Sequence, residues 1–437
     1  MNNKTTRLIC VFLLLILWTV PIFGNQSLKI TVNGQNIDLG NWLVSDNGTS
    51  YIPAIVVSNL LNGEKLDLKT PTKNIYNTSF VPLKPAFETL GASVNWDKAT
   101  NSIMITSDEL SYNGQTIKEL LQEPLPQGHV EIKISAAGDV VLGWDEKFST
   151  QNRFDSVLKE KGYDYKYFFK NVKHIFETDD MTIVNLETPL TNATKKAEKT
   201  FTFKGKPEYA QILKEGSIES VNLANNHTYD YLTQGMKDTI ATLSKANIEY
   251  FGDGNKSIKE VKGIKIGNLG YKGWSNASSV KSGIKKDIEH MKKTANLVIV
   301  SFHWGEEGVS YPNAIQKDLG KFCIDNGADL VIGHHPHVIQ GIEEYKDKMI
   351  IYSLGNFSFG GNRNPTDKDT FIYQQSFIFN DQKQLISTTS GIIPCRVSSV
   401  DYRNDYCPTP QLGQGADRII NRLNTYSKGF QKPYQVY

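Results

Sequence analysis

The chain has 437 residues, 39% of them hydrophobic and 11% aromatic, which is too long for one domain of ordinary size and rich enough to fill a core, so two or three units are expected. A net charge of +2 argues neither for nor against nucleic acid, but there is no long basic run, and no nucleic-acid partner is expected. None of the four cysteines has the spacing of a zinc site.

In chain order, Lys4 and Arg7 precede an apolar run over residues 8–20, and Pro21 and Phe23 nearly extend it to a spanning length. Residues 1–25 therefore read as a signal peptide or a membrane anchor, and the poor cleavage site at Ile22 and Gly24 tilts the choice toward an anchor. Everything after it is expected outside the cytoplasm, at the cell surface, either membrane-anchored or secreted. Residues 26–107 alternate apolar and polar positions, as in Leu28-Lys29-Ile30-Thr31-Val32, between turns such as Asn33-Gly34, and predict a small β-rich domain. Inside it Ser50-Tyr51-Ile52-Pro53-Ala54 is echoed by Ser79-Phe80-Val81-Pro82-Leu83. The stretch from Phe80-Val81-Pro82-Leu83-Lys84 to Val94-Asn95-Trp96 resembles the copper amine oxidase N-terminal-like stalk domain of Gram-positive surface proteins; it carries no histidine, so no copper is assigned to it. Residues 108–129, with Pro124-Leu125-Pro126, read as a linker.

From 130 to 428 strands alternate with helical patterns, which predicts βαβ units and a largely parallel sheet, followed by a C-terminal tail at 429–437. Leu232, Met236, Ile240 and Leu243 mark one helix; Ile315, Leu319, Phe322 and Cys323 mark another, in which Cys323 is a buried thiol; residues 416–426 predict a last one. Cys395 and Cys407 stand 12 apart in a turn-rich region and are free to pair or not.

The chemistry lies at the ends of five apolar runs. They finish in Gly138-Asp139, Asn185-Leu186-Glu187, Asn225-Asn226-His227, Phe302-His303 and Gly333-His334-His335-Pro336-His337. Ligands collect beyond the carboxyl ends of strands in open α/β sheets, so these residues are expected at one edge. A carboxylate, an amide or a histidine alone is an ordinary cap, turn or packing residue. Arriving together they make a site for one or two divalent ions, of which manganese, iron and zinc suit mixed oxygen and imidazole ligands. Alternate residues of an extended chain point the same way, so His335 and His337 are expected to face the metal and His334 to point away. Glu187 is the candidate bridge between two cations about 3.5–4 Å apart.

Six motifs in order resemble the bacterial capsule synthesis protein CapA family, also called the poly-γ-glutamate biosynthesis or PgsA family. They are Gly138-Asp139-Val140-Val141-Leu142-Gly143, Asn185-Leu186-Glu187-Thr188-Pro189-Leu190, Asn222-Leu223-Ala224-Asn225-Asn226-His227 with Asp230, His303-Trp304-Gly305 with Glu307, Gly333-His334-His335-Pro336-His337, and Tyr352-Ser353-Leu354-Gly355-Asn356-Phe357, and the resemblance runs from about 131 to about 428. The family in turn resembles the calcineurin-like metallophosphoesterases, and the resemblance implies a four-layer α/β/β/α sandwich of that type behind the small β-rich domain. It further implies Asp139 and His337 on a first metal, Asn226, His303 and His335 on a second, Glu187 between them, and His227 toward the substrate as general acid or polarising donor. Glu307 and Asn356 match positions typical of the family and are candidates for substrate contact. Two departures stand out: Val141 occupies the place of a phosphoesterase's first-motif histidine, and Glu187 that of an aspartate. Lys204 is a further candidate contact for an anionic substrate.

The function so implied is the making, export or processing of poly-γ-glutamate or a related anionic surface polymer, by a metal-dependent hydrolase or transferase acting on its amide or ester bonds. The polymer, the membrane and other capsule synthesis or export proteins are the expected partners. Two alternatives stay open: an extracellular metallophosphoesterase, and a non-catalytic scaffold of a polymer synthesis or export complex.

Overall fold

The computed structural model describes residues 29–46, 49–61, 72–76, 78–97, 102–107, 110, 112, 114–122, 125–148 and 151–435. The signal or anchor segment at 1–25, with Cys10, lies outside them. Among the described residues no helix is long and apolar enough to cross a membrane.

The N-terminal part folds as two four-stranded sheets. Strands β1 (Lys29–Val32), β2 (Gln35–Ile37), β7 (Ser93–Asp97) and β8 (Ser102–Thr106) form one, in the order β2-β1-β8-β7; β3 (Val44–Asp46), β4 (Thr49–Pro53), β5 (Lys73–Ile75) and β6 (Thr78–Pro82) form the other, in the order β3-β4-β6-β5. The sequence echo is a structural repeat. Strands β4 and β6 pair antiparallel with Ile52 opposite Val81, and each runs through a proline at φ −57° or −59° into a seven-residue helix, α1 (Ala54–Leu60) or α2 (Leu83–Thr89). A proline fixed near −60° suits that junction because its missing N–H is not needed at a helix start. The segment expected as a linker packs here: α3 (Ile117–Leu120), capped by Thr116 and Glu119, sits by α1, whose Asn59 donates to the carbonyls of Leu120 and Gln122.

The large part has two sheets face to face. An eight-stranded sheet runs β12 (Glu249–Phe251), β11 (Ser220–Asn222), β10 (Met181–Leu186), β9 (Val130–Val141), β20 (Asp369–Phe379), β21 (Leu385–Arg396), β22 (Thr409–Pro410), with β19 (Asn356–Phe359) also on β9. A six-stranded sheet runs β13 (Ser257–Val261), β14 (Ile264–Gly273), β15 (Leu297–Trp304), β16 (Leu330–His334), β18 (Lys348–Ile351), β17 (Ile342–Tyr345). The strands β9 to β12 and β14 to β16 with β18 are parallel, as the buried apolar runs require. Alternation sorts their side chains into layers. Ile134, Ile183, Ile266, Leu297, Ile299, Leu330 and Ile332 meet between the sheets. Val298, Val300, Phe302 and Val331 point the other way, against α8 (Ser278–Met291) and α9 (Ala314–Asp325). On the far side of the eight-stranded sheet, Val140, Val184 and Val221 pack with α4 (Phe154–Glu160), α5 (Lys173–Phe176), α6 (Ala210–Glu215) and α7 (Leu232–Ala246). The result is helix, sheet, sheet, helix: the α/β/β/α sandwich of the metallophosphoesterase type, with α10 (Gln414–Ser427) adding Ile419 and Leu423 to the inner core. Each such fully buried aliphatic side chain stabilises the fold by about 1.5–3 kcal/mol.

Two expectations change, and the open question of the Cys395–Cys407 pair is answered. The five ligand-bearing strands do not share one edge, because β9, β10 and β11 belong to one sheet and β15 and β16 to the other. Cys395 and Cys407 are free, buried thiols that turn to different backbone carbonyls, Ile393 at 3.4 Å and Tyr167 at 3.3 Å. Leu232 opens α7 but stays exposed, so the buried face of that helix starts at Met236.

The two parts touch through His174 on α5. Its ring is caged by Trp42 and Tyr76, with centroids 5.7 and 4.9 Å away, and its carbonyl accepts from the Trp42 indole. Lys118 of α3 reaches Asp180 at 3.0 Å.

Candidate metal centre

The site forms where the carboxyl ends of both sheets meet. Asp139 ends the inner face of β9, and a neighbouring backbone fixes it: its N–H donates to the Gly355 carbonyl at 2.9 Å. A Cβ on Gly138 would lie 2.1 Å from that same oxygen, so only glycine lets the chains approach so closely. Asn185 follows Ile183 onto the inner face of β10 and donates to Asp139 Oδ1 at 2.8 Å. The loop after β11 is knit by Asn225, whose amide donates to the Leu186 carbonyl while its oxygen accepts from the His227 N–H.

From the six-stranded sheet, His303 is held by two amides: Nε2 lies 2.8 Å from Asn226 Oδ1 and Nδ1 3.2 Å from Asn185 Nδ2. His337 Nδ1 lies 3.1 Å from Asp139 Oδ2 and 2.9 Å from Asn356 Oδ1. Two groups of ligand atoms result, each within 4.8 Å: Asp139, Glu187 and His303, and Glu187, His335 and His337. Glu187 is common to both. These groupings cut across the division implied by the phosphoesterase resemblance, which put His303 with His335.

The reason given for His335 and His337 needs replacing. Strand β16 ends at His334, and His335 and His337 have φ of +97° and +57°, so the chain there is not extended. Alternation puts Leu330, Ile332 and His334 on the inner face, which means His334 points into the site and not away: its Nδ1 lies 3.6 Å from Asp139 Oδ1. The positive φ values swing His335 and His337 back to the same place, at a strain of order 1–3 kcal/mol each.

The electrostatics show what the cluster lacks. Both Glu187 oxygens are buried without a hydrogen-bond partner, and burial, only partly offset by His337, pushes its carboxyl well above the usual range. Burial also pulls His334 and His335 down to about 4 and His303 well below its usual value, so these rings are neutral with lone pairs to give. Burial opposes charge on His337 as well, but Glu187 and Asp139 outweigh it and hold the ring up at about 9. His337 in turn keeps Asp139 below the usual carboxylate range against its burial. A buried carboxylate without donors beside the neutral imidazoles of His303, His334 and His335 fits a divalent cation.

His227 stands next to this cluster with Nε2 3.8 Å from Glu187 Oε1. Its Nδ1 lies 2.6 Å from Asp230 Oδ2, which also accepts from the Phe203 N–H, and the Phe203 ring stacks on the imidazole at 4.3 Å. Lys199 pairs with the other Asp230 oxygen at 2.6 Å. Glu307 is exposed at the rim, where its charge acts on His335 and His337. Lys204 pairs with Glu146 at 2.8 Å and covers Tyr231. Sequence reasoning gave no role to Asn185, Asp230, Phe203 or Trp274; the last, 43% exposed, sets its ring 4.7 Å from His335 and 5.8 Å from His303. Asp230 was visible three residues beyond His227, and Asn185 two beyond Ile183.

Residues 133–361 match the family model for the bacterial capsule synthesis protein PGA_cap. The chain belongs to that family. Residues 60–119 match the copper amine oxidase N-terminal domain. Among curated PGA_cap relatives, the PGA biosynthesis protein CapA of Bacillus subtilis (strain 168) is 34% identical over 52% of this chain and 63% of its own length. The capsule biosynthesis protein CapA of Bacillus anthracis is 32% identical over 56% and 63%. A probable polyglutamine synthesis accessory protein of Mycobacterium tuberculosis (strain CDC 1551 / Oshkosh) is 24% identical over 40% and 55%. The match thus spans less than two thirds of each of these PGA_cap relatives.

Proposed function

We propose that this PGA_cap protein works in capsule polymer biosynthesis as a metal-dependent hydrolase or transferase. Its substrate would be an amide or ester of an anionic surface polymer of the poly-γ-glutamate type, consistent with what its relatives are named for. It would work outside the cytoplasm, at the cell surface, together with other capsule synthesis or export proteins. The observation that carries the reading is Glu187, a buried carboxylate without a donor, common to two sets of metal-ligand atoms. Asp139, Glu187, Asn226, His303, His335 and His337 would hold one or two divalent ions. Bound there, such ions supply Lewis acidity toward a carbonyl or phosphoryl oxygen.

The chain's own groups do the rest. Asp230 fixes the His227 ring through Nδ1, which leaves Nε2 as the atom that exchanges a proton with a leaving group. Phe203 stacked on the ring prevents it from turning, and Asn356 orients His337. Glu307 at the rim and the indole of Trp274 would meet the substrate.

The test is release of primary amine from purified poly-γ-glutamate by residues 26–437 loaded with manganese or zinc, alongside bis(4-nitrophenyl) phosphate. Polymer cleavage that falls about 10²–10⁴-fold in His227→Ala supports the reading. Turnover of the phosphodiester alone would move the function to a phosphoesterase. Full metal loading with neither activity would favour the scaffold.

A further inference from the structure

We infer that His334 is itself a ligand of the metal centre, on the side of Asp139, an assignment that rests on the metal-centre reading above. Three observations converge on it. The ring is fully buried and neither ring nitrogen has a hydrogen-bond partner among the described residues. It continues the inner face of Leu330 and Ile332 and pairs in register with His303 on the adjacent parallel strand, so both rings enter the space between the sheets together. Its Nδ1 stands 3.6 Å from Asp139 Oδ1, too far for a hydrogen bond. That separation is near the roughly 3.4 Å expected between two donors on one tetrahedral ion with bonds of about 2.0–2.1 Å.

The chemistry of the cluster asks for it. Asp139, Glu187 and His303 offer two carboxylates and a single nitrogen. Val141 beyond Asp139 packs with Phe203 and Phe359 and has no donor to give. His334 would bring a second nitrogen to that set from the Asp139 side, which is where its Nδ1 lies, outside the three atoms gathered within 4.8 Å. A packing role alone would be served by an apolar ring. Gly333 beside it lets the Tyr352 carbonyl come so close that a Cβ would stand 2.1 Å from its oxygen, which fixes the backbone that aims the imidazole.

The experiment uses residues 26–437, stripped of metal and reloaded with zinc or cobalt(II), in wild type, His334→Ala and His334→Gln. Metal content by elemental analysis, affinity against a competing chelator and the visible spectrum of the cobalt form are read, with circular dichroism as the check on folding. The expected result is that both variants fold, lose one ion per chain or at least about tenfold in affinity, and change the cobalt spectrum. The glutamine keeps a hydrogen-bonding group, so a ring that merely positions Asp139 would be rescued by it and a ligand would not. Unchanged stoichiometry, affinity and spectrum in either folded variant would overturn the assignment. A wild-type chain that takes up no ion would overturn the metal-centre reading as well, and is recognised without any variant.

Discussion

The two sheets bring different chemistry to the same place. The eight-stranded sheet supplies oxygen: Asp139 and Glu187, the amides of Asn185, Asn226 and Asn356, and one histidine, His227. The six-stranded sheet supplies nitrogen: His303 and His334, with His335 and His337 in the turn that follows. On the oxygen side hydrogen bonds tie down Asp139, from Asn185, and the loop after β11, from Asn225 to Leu186, while Glu187 is left without a donor among the described residues. On the nitrogen side His334 has no partner at either ring nitrogen and His335 none at Nδ1. Neither half resembles a site alone. A set of acceptors and the mostly neutral imidazoles form a candidate cation site when the inner faces close on each other, and burial then removes the water that would otherwise satisfy both.

The largest way to break this comparison is to push each sheet's ligand off its backbone. Gly138→Ala on the oxygen side and Gly333→Ala on the nitrogen side each place a Cβ 2.1 Å from a carbonyl oxygen, of Gly355 and Tyr352 respectively. Both are expected to lose about 3 kcal/mol or more in chemical denaturation; a loss on one side alone would mean that one sheet yields to the other. Glu187→Gln should separate stability from ligation. Removing a buried carboxylate without donors is expected to stabilise the metal-free protein by roughly 1–3 kcal/mol in thermal unfolding. The same change should weaken zinc or manganese binding by about 100-fold in a chelator competition.

A fourth variant tests a buried histidine outside the metal centre. His174, caged by Trp42 and Tyr76, is pulled down to about 3 by burial, so the folded state holds the neutral ring while the unfolded chain takes a proton near 6.5. Its share of stability is therefore intact above about pH 6.5 and falls as pH drops toward 3, by roughly 1.4 kcal/mol per unit well inside that window. His174→Phe should lose about 2 kcal/mol less than wild type between pH 7 and pH 5 in denaturant titrations; equal losses would show that the cage admits the charged ring. The smallest expected effect is at Trp274. Being 43% exposed, it should cost no more than about 0.5 kcal/mol as Trp274→Phe. The substitution should nonetheless remove the fluorescence change on metal loading, because the indole faces His335 and His303.

Much of this was legible in the chain. Apolar runs ending in Asp139, Glu187, Asn226, His303 and the histidine cluster marked strands and candidate ligands together, and the repeat around Pro53 and Pro82 announced two matching strand-to-helix junctions. His334 was misread for a physical reason: alternation runs inward from Leu330 to His334, and the phase breaks only afterwards, at the left-handed His335. Where a strand stops is set by its neighbours, which one chain's periodicity does not contain. Asn185 and Trp274 escaped because an amide and an indole are unremarkable until their partners arrive.

The sequence alone determined the order of strands and helices, the ligand types at their ends and the family, since these rest on local pattern and on motifs in order. The tertiary structure decided that the five ligand-bearing strands split between two sheets, that Glu187 falls within both ligand groups, and that Asp230 fixes His227. The first two are long-range facts, set by the packing of whole layers with close backbone approaches such as those at Gly138 and Gly333; the third joins residues three apart and is decided by how the loop after β11 folds.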